Sequence, residues 1–261
     1  MILDKLRALP FYPSRHRLQL AAESLNERLH GLDFTMPDRM EKRGRGDGAM
    51  YYASPEGIVR QLFERVDVSR FGRLLDVGCG KGYVLRAAAE YGFSAVGGVE
   101  YDEKLCRICR RNLRRLGLDG VSVACADAGG WDGYGDYDVF YFFNPFQADV
   151  MARVVARIRE QCRGREILLI YYRPRYTEAI EAGGLFRCEA ELHDEVKGYD
   201  ARIYRGRMPD GGGTFSAAGA SEAVTALLLF SDGGGGTMRQ RRMPGRRPGR
   251  IESDTHHLTT Q

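Results

Sequence analysis

A doubly wound α/β fold built on a mostly parallel sheet is predicted by three observations on this 261-residue chain. Short apolar runs alternate with segments of helical spacing from about residue 54 to about residue 206. The first strong apolar run, LLDV at 74–77, opens directly into a glycine-rich turn. The later strands are apolar along their whole length, as strands covered on both faces must be. Right-handed crossovers then place helices on both faces of the sheet.

The N-terminal part comes first. Residues 1–50 carry a short helix around Leu18 to Leu29 and then the charged stretch DRMEKRGRGDGAM, and they are expected to fold over a ligand mouth or the sheet edge. Residues 54–66 read as a helix, with Ser54 as N-cap, Pro55 as first residue, and Ile58, Leu62, Phe63 and Val66 on one face. Strands are expected at 74–77, 94–100, 121–128, 137–143 and 166–172. Helix 102–116 starts on Asp102 and Glu103, closes on Gly117, and carries Leu105, Ile108, Cys109, Leu113 and Leu116 at helical spacing. Its other face is a basic stripe, Lys104, Arg107, Arg110, Arg111, Arg114 and Arg115, read as a solvated face in preference to a nucleic-acid contact. Helices at about 147–161 and 176–182 continue the alternation, and LFRCEAEL with DARIYRG form a last antiparallel pair. Residues 207–261, rich in glycine and arginine, read as a tail unable to bury a core, which divides the chain into 1–50, 51–206 and 207–261.

The turn after the first strand points to a ligand. Asp76 is followed by Gly78, Gly80 and Gly82 in a D-x-G-x-G-x-G pattern. A dinucleotide fingerprint would need its third glycine at Tyr83, and a P-loop would need Ser or Thr after Lys81, where Gly82 stands. Glu100 ends the second strand roughly 20 residues further on, the distance at which a carboxylate meets a ribose. Asp127 and Asn144 end the next two strands. Asp102, Asp127 or Asn144 could each cap the helical turn next to it, yet polar residues at successive strand ends mark the edge where open α/β sheets bind ligands.

The runs YYASPEGIVRQLF, LLDVGCGKGYVL, GVEYDEKL, CADA and FFNPF resemble class I S-adenosylmethionine-dependent methyltransferases, over about residues 50–206. Within them the chain is similar to a bacterial subgroup distantly related in pattern to protein-lysine N-methyltransferases. The resemblance implies a seven-stranded sheet with a reversed terminal strand and S-adenosylmethionine as cofactor. It puts Asp76, Gly78, Gly80 and Gly82 at the methionyl end, Glu100 with its neighbour Tyr101 at the ribose, and Asp127 and Ala128 at the adenine. The loop from Tyr52 to Pro55 then closes over the cofactor.

The chemistry of a sulfonium donor asks for alignment of a nucleophile, with no metal and no covalent intermediate. Asn144 is the candidate for the reacting end, with Tyr52 beside it; Tyr171 and Tyr172 are further candidates for the acceptor pocket, or for packing. The five histidines supply no general base near these strands. Three readings are open: an amine or protein N-methyltransferase, a nucleobase N-methyltransferase in view of Asn144-Pro145-Phe146, or a cofactor-binding protein without transferase activity. The acceptor itself is not legible, with a protein or small-molecule amine favoured over nucleic acid.

Composition sets the outer limits. With 43% hydrophobic residues the chain can bury an ordinary core, and of its net charge of +4, seven arginines against five acids in residues 207–261 account for +2. The remainder is close to neutral and gives little reason to expect a phosphate backbone as partner. No run reaches the roughly 18 to 20 apolar residues of a membrane span, and the first ten residues lack the apolar centre of a signal peptide. A cytoplasmic protein is expected, and the six cysteines suit one as free thiols. Cys106 and Cys109 form a C-x-x-C without the second pair that a zinc site needs.

Overall fold

The computed structural model describes residues 14–39 and 50–210. The expected tail from 211 onward lies outside the described residues, as do 1–13 and 40–49. The sheet has seven strands: β3 (Arg73–Val77), β4 (Ala95–Glu100), β5 (Ser122–Cys125), β6 (Val139–Phe143), β7 (Glu166–Tyr172), β8 (Phe186–Asp194) and β9 (Tyr199–Arg207). Their order is β5-β4-β3-β6-β7-β9-β8. All pairs are parallel up to β7, and β9, the last strand in the chain, enters reversed between β7 and β8. A two-residue ribbon, β1 (Asp38–Arg39) with β2 (Met50–Tyr51), stands apart.

Alternation along the strands divides the core into two layers. On β7, Leu168, Ile170 and Tyr172 face one layer, and Ile167, Leu169 and Tyr171 face the other. The first layer receives α2 (Glu56–Phe63), α3 (Tyr83–Tyr91) and α4 (Glu103–Arg115); the second receives α5 (Ala148–Gln161) and the one-turn α6 (Glu178–Glu181). Tyr171 and Tyr172 are fully buried and serve as core. Near the N-terminus, α1 (Ser14–Leu29) turns Glu27 back so that its Oε2 accepts from the Phe34 and Thr35 N–H groups at 2.9 and 3.0 Å.

Local signals explain most boundaries. Asp102 caps α4 by accepting from the Leu105 N–H at 3.0 Å, and Gly117 leaves the helix with φ 68°. Five of the α4 arginines, Arg107, Arg110, Arg111, Arg114 and Arg115, are exposed, whereas Lys104 reaches Asp38 at 2.7 Å. Three expectations are corrected. Helix α2 begins at Glu56, and Ser54 makes no cap; its Oγ instead accepts from the Tyr141 hydroxyl at 2.9 Å, which draws it to β6. Strand β5 stops at Cys125, because the Asp127 carboxylate accepts from the Gly129 N–H and starts a single 3-10 turn. The helix expected over 176–182 shrinks to Glu178–Glu181 before the left-handed Gly183 and Gly184.

The C-x-x-C divides between two environments. Cys106 Sγ donates to the Glu100 carbonyl at 3.4 Å, while Cys109 lies under Gly82, where a Cβ would come within 2.6 Å of its sulfur. Among the described residues no group of three or more His, Cys, Asp or Glu is arranged to hold a metal ion. Nor is any described helix long and apolar enough to cross a membrane.

The sheet also carries past the boundary expected at residue 206. Arg207 pairs with Glu166, Met208 is buried at 1% exposure, and the Met208 N–H donates to the Arg165 carbonyl at 2.8 Å. A chain ending at Gly206 is therefore expected to melt lower than one ending at Asp210. Loss of one buried Met, about 2 kcal/mol, corresponds to about 4–8 °C in a domain of this size, measurable by thermal melting.

Candidate active site

The carboxyl ends of β3, β4 and β6 meet at the glycine turn. Gly78, Gly80 and Gly82 all adopt left-handed backbone, with φ of 89°, 53° and 88°. Side chains fit poorly for a second reason. A Cβ on Gly78 would press on Pro145 at 2.7 Å, and one on Gly80 would enter the Tyr51 ring at 2.2 Å. The turn thus keeps its backbone close to both its covers, the Asn144-Pro145 segment and the segment around Tyr51.

Glu100 holds the turn in place. One carboxylate oxygen accepts from the Gly80 N–H at 2.9 Å and the other from the Asp102 N–H at 2.8 Å. Expected at a ribose, Glu100 has a different first task in the structure, which is to buckle the turn to α4. With the Tyr101 N–H also acting on it, the carboxylate still keeps lone-pair capacity for a further donor. Burial raises its carboxyl above the ordinary range, and the backbone N–H bonds act in the opposite direction.

Asp76 has no such compensation. It is 4% exposed, and among the described residues no donor pairs with its carboxylate. Burial, and then the charge of Glu100, push its carboxyl well above the usual range. It lies on a small open cleft between two walls: Tyr51 to Ser54 on one side, Asp76, Gly78 and Cys79 on the other. Tyr83, Tyr141 and Phe143 complete the lining. A buried carboxylate without a donor, facing an open cleft, is a place for a cation.

The cover is fastened by Lys81, which in the sequence served only to dismiss a P-loop. Its side chain is 1% exposed, and Nζ donates to Asp33 Oδ1 at 2.7 Å and to the Met36 carbonyl at 2.8 Å. Asn112, fully buried on α4, donates to the Asp33 and Lys81 carbonyls and accepts from the Asp33 N–H. The Tyr51 hydroxyl adds a bond to the Phe34 carbonyl at 2.8 Å. Residues 33–38 and Tyr51 are in this way clamped against the glycine turn. No local pattern marks Lys81; only its position inside a turn full of glycines does.

The other expected residues surround this turn. Tyr52 lies on the cleft wall, 36% exposed. Ala128 is buried, Asp127 is exposed and caps its own turn, and Tyr101 is 47% exposed beside Glu100. Asn144 comes after β6 with φ 39°, and its Oδ1 accepts from the Tyr171 hydroxyl at 3.4 Å. Its amide is oriented by the core of the second layer, while Pro145 next to it packs at Gly78.

Part of this chain matches known methyltransferases. Residues 74–164 match a family described as "Methyltransferase domain". A protein-L-isoaspartate O-methyltransferase of Thermotoga maritima is 36% identical over 103 residues, which is 36% of this chain and 31% of that protein. The Helicobacter pylori (strain G27) enzyme of the same name is 34% identical over 95 residues, covering 36% and 45%. The chain thus spans less than half the length of these curated relatives. A solved RNA methyltransferase from Salinibacter ruber in complex with S-adenosyl-L-homocysteine superposes with a TM-score of 0.49 and 20% identity, covering 62% of this chain and 96% of that one.

Replacing Asp76 by Asn is expected to raise the melting temperature of the cofactor-free protein. A carboxyl whose folded pKa lies above its ordinary 3.8 stabilises the fold fully below that value and loses the contribution as pH rises towards the folded pKa. Thermal melts from about pH 4 to about pH 8 should therefore show a gap in favour of Asp76→Asn that widens with pH. A gap of constant size would mean that Asp76 is not carrying an uncompensated charge. With the matched segment, the strand order and the glycine turn together, the chain contains a class I, Rossmann-like S-adenosylmethionine-dependent methyltransferase domain.

Proposed function

We propose that the protein transfers a methyl group from S-adenosylmethionine to an amine nitrogen of a protein or small molecule. The observation that carries the reading is Asp76, a buried carboxylate that has no donor among the described residues and faces the cleft beside Gly78. The donor set fits the cofactor: a cationic, amine-bearing ligand supplies the charge Asp76 lacks, and the turn's positive-φ glycines let backbone approach it. S-adenosylmethionine, when bound, supplies a methyl group already activated by its sulfonium.

The chain's own residues then bind and orient. Asp76 and the turn Gly78 to Gly82 would hold the methionyl end, and the spare lone pairs of Glu100 would meet the ribose. Asp127 and Ala128 remain the candidates for the adenine end, with Tyr101 next to Glu100. Asn144 would accept from the acceptor amine, its second lone pair being open while Tyr171 occupies one. Tyr52 and the clamped segment 33–38 would exclude water from the mouth, since alignment in a dry cleft is what such a reaction needs.

The relatives' names refer to carboxyl methylation of isoaspartate. Carboxyl transfer is the second reading, favoured by their identity of 36% and 34% over about a third of this chain. Nucleobase methylation remains the alternative raised by Asn144-Pro145-Phe146.

Calorimetry should show S-adenosylhomocysteine binding, with no comparable binding of NAD. Asn144→Gly is the suitable variant, because glycine tolerates the φ of 39° that would strain alanine. It is expected to leave S-adenosylhomocysteine affinity within a few-fold and to lower transfer of labelled methyl by about two orders of magnitude. Label appearing in amines of the protein or small-molecule fraction supports the reading; base-labile methyl esters, or label in RNA, would replace it.

A further inference from the structure

The ends of β6 and β7 share a property that methyl transfer as described does not use. Among the described residues, the non-glycine residues with left-handed backbone are Asn144 at φ 39° and Arg173 at φ 55°. Each is the first residue after its strand and each precedes a proline. They are neighbours across the sheet, because Phe143 pairs with Tyr172. Such backbone is disfavoured for residues with a Cβ, and it persists where the surroundings enforce it, often at functional sites.

Arg173 is also chemically available. Its guanidinium lies 4.6 Å from the Tyr199 ring centroid, and among the described residues that guanidinium has no carboxylate or hydrogen-bonding partner. Stacking on a ring fixes the plane of the fork while leaving its N–H edges open. Lys197, from the turn between β8 and β9, comes to the same place. Its Nζ donates to the Ala53 carbonyl at 2.8 Å and lies 5.4 Å from the Phe143 ring centroid, and both residues wall the cleft.

Burial lowers the Lys197 ammonium to about 8; Asp194 opposes this, and the like charge of Arg173 adds to it. Asp194 is already engaged by the Tyr172 hydroxyl and by the Val196 and Lys197 N–H groups. Asp194, the carboxylate that acts on Lys197, is thus committed to other donors, and the Arg173 guanidinium lies within electrostatic reach of Lys197.

We propose that Arg173, with Lys197 behind it, forms the subsite that holds an oxyanion of the methyl acceptor, a phosphate or a carboxylate, beside the nitrogen that Asn144 positions. This rests on the methyltransferase reading and narrows the acceptor to an anionic amine. A guanidinium fork matches the geometry of either group, and an acceptor lacking the anion would leave Arg173 unmatched in the bound state.

The experiment uses the full chain saturated with S-adenosylhomocysteine. Its binding to the wild type is measured first, since failure there would overturn the methyltransferase reading. Inorganic phosphate and, separately, acetate are then titrated in by NMR at constant pH, which distinguishes the two sources of oxyanion. One of them is expected to bind, and Arg173→Gln should weaken it about ten-fold or more. Arg173→Gly should lose the anion equally while melting no lower than the wild type, because glycine relaxes the backbone. S-adenosylhomocysteine affinity should stay within about two-fold in both variants. No anion binding by the cofactor-loaded wild type, or unchanged binding in both variants, would overturn the subsite alone. A lower melting temperature in Arg173→Gly with unchanged anion affinity would likewise overturn it, assigning Arg173 to structure.

Discussion

The glycine turn takes its shape from one buried carboxylate. Glu100 accepts from the N–H groups of Gly80 and Asp102, so the ends of β3 and β4 and the start of α4 are joined through a single side chain. Val99, next to it, accepts from the Gly78 and Cys79 N–H groups through its carbonyl. Backbone donors of a tight turn must go somewhere when water is excluded, and here they converge on the last two residues of β4. The remaining features of the site, the left-handed glycines, the approach of Pro145 and the seat for Tyr51, depend on that convergence.

The same carboxylate has an electrostatic consequence. Glu100 and Asp76 are both nearly inaccessible to water, and the charge of Glu100 adds to the cost of charging Asp76. Proteins rarely keep a buried acid without a partner, since a hydrophobic replacement is usually no less stable. Among the described residues, the packing around Asp76 supplies no such partner.

Periodicity and capping made much of this architecture legible in advance. Helix α4 is framed by Asp102 and Gly117, both local signals, and the continuous apolar runs of β6 and β7 declare strands covered on both faces. The polar residues at strand ends were readable for the same reason. What remained hidden was long-range. Ser54 has the composition of a cap, yet a tyrosine 87 positions later claims its hydroxyl. Tyr171 and Tyr172 look equally suited to a pocket, but alternation sends them into opposite core layers. Lys81 shows in the sequence only as a member of the glycine turn, and its burial comes from partners 48 and 45 residues upstream.

The clamp formed by Asp33, Lys81 and Asn112 constrains how this chain can diverge. Each member satisfies polar groups of the other two, with Lys81 and Asn112 buried. Changing Asn112 alone would strand three of those groups, and changing Lys81 alone would take from Asp33 the cation that sits 2.7 Å away. A lineage descending from this sequence can therefore replace the three positions together or keep them together. Their joint inheritance, or joint loss along with the segment they fasten, is a signature by which proteins sharing this covered turn can be told from those that merely share the fold.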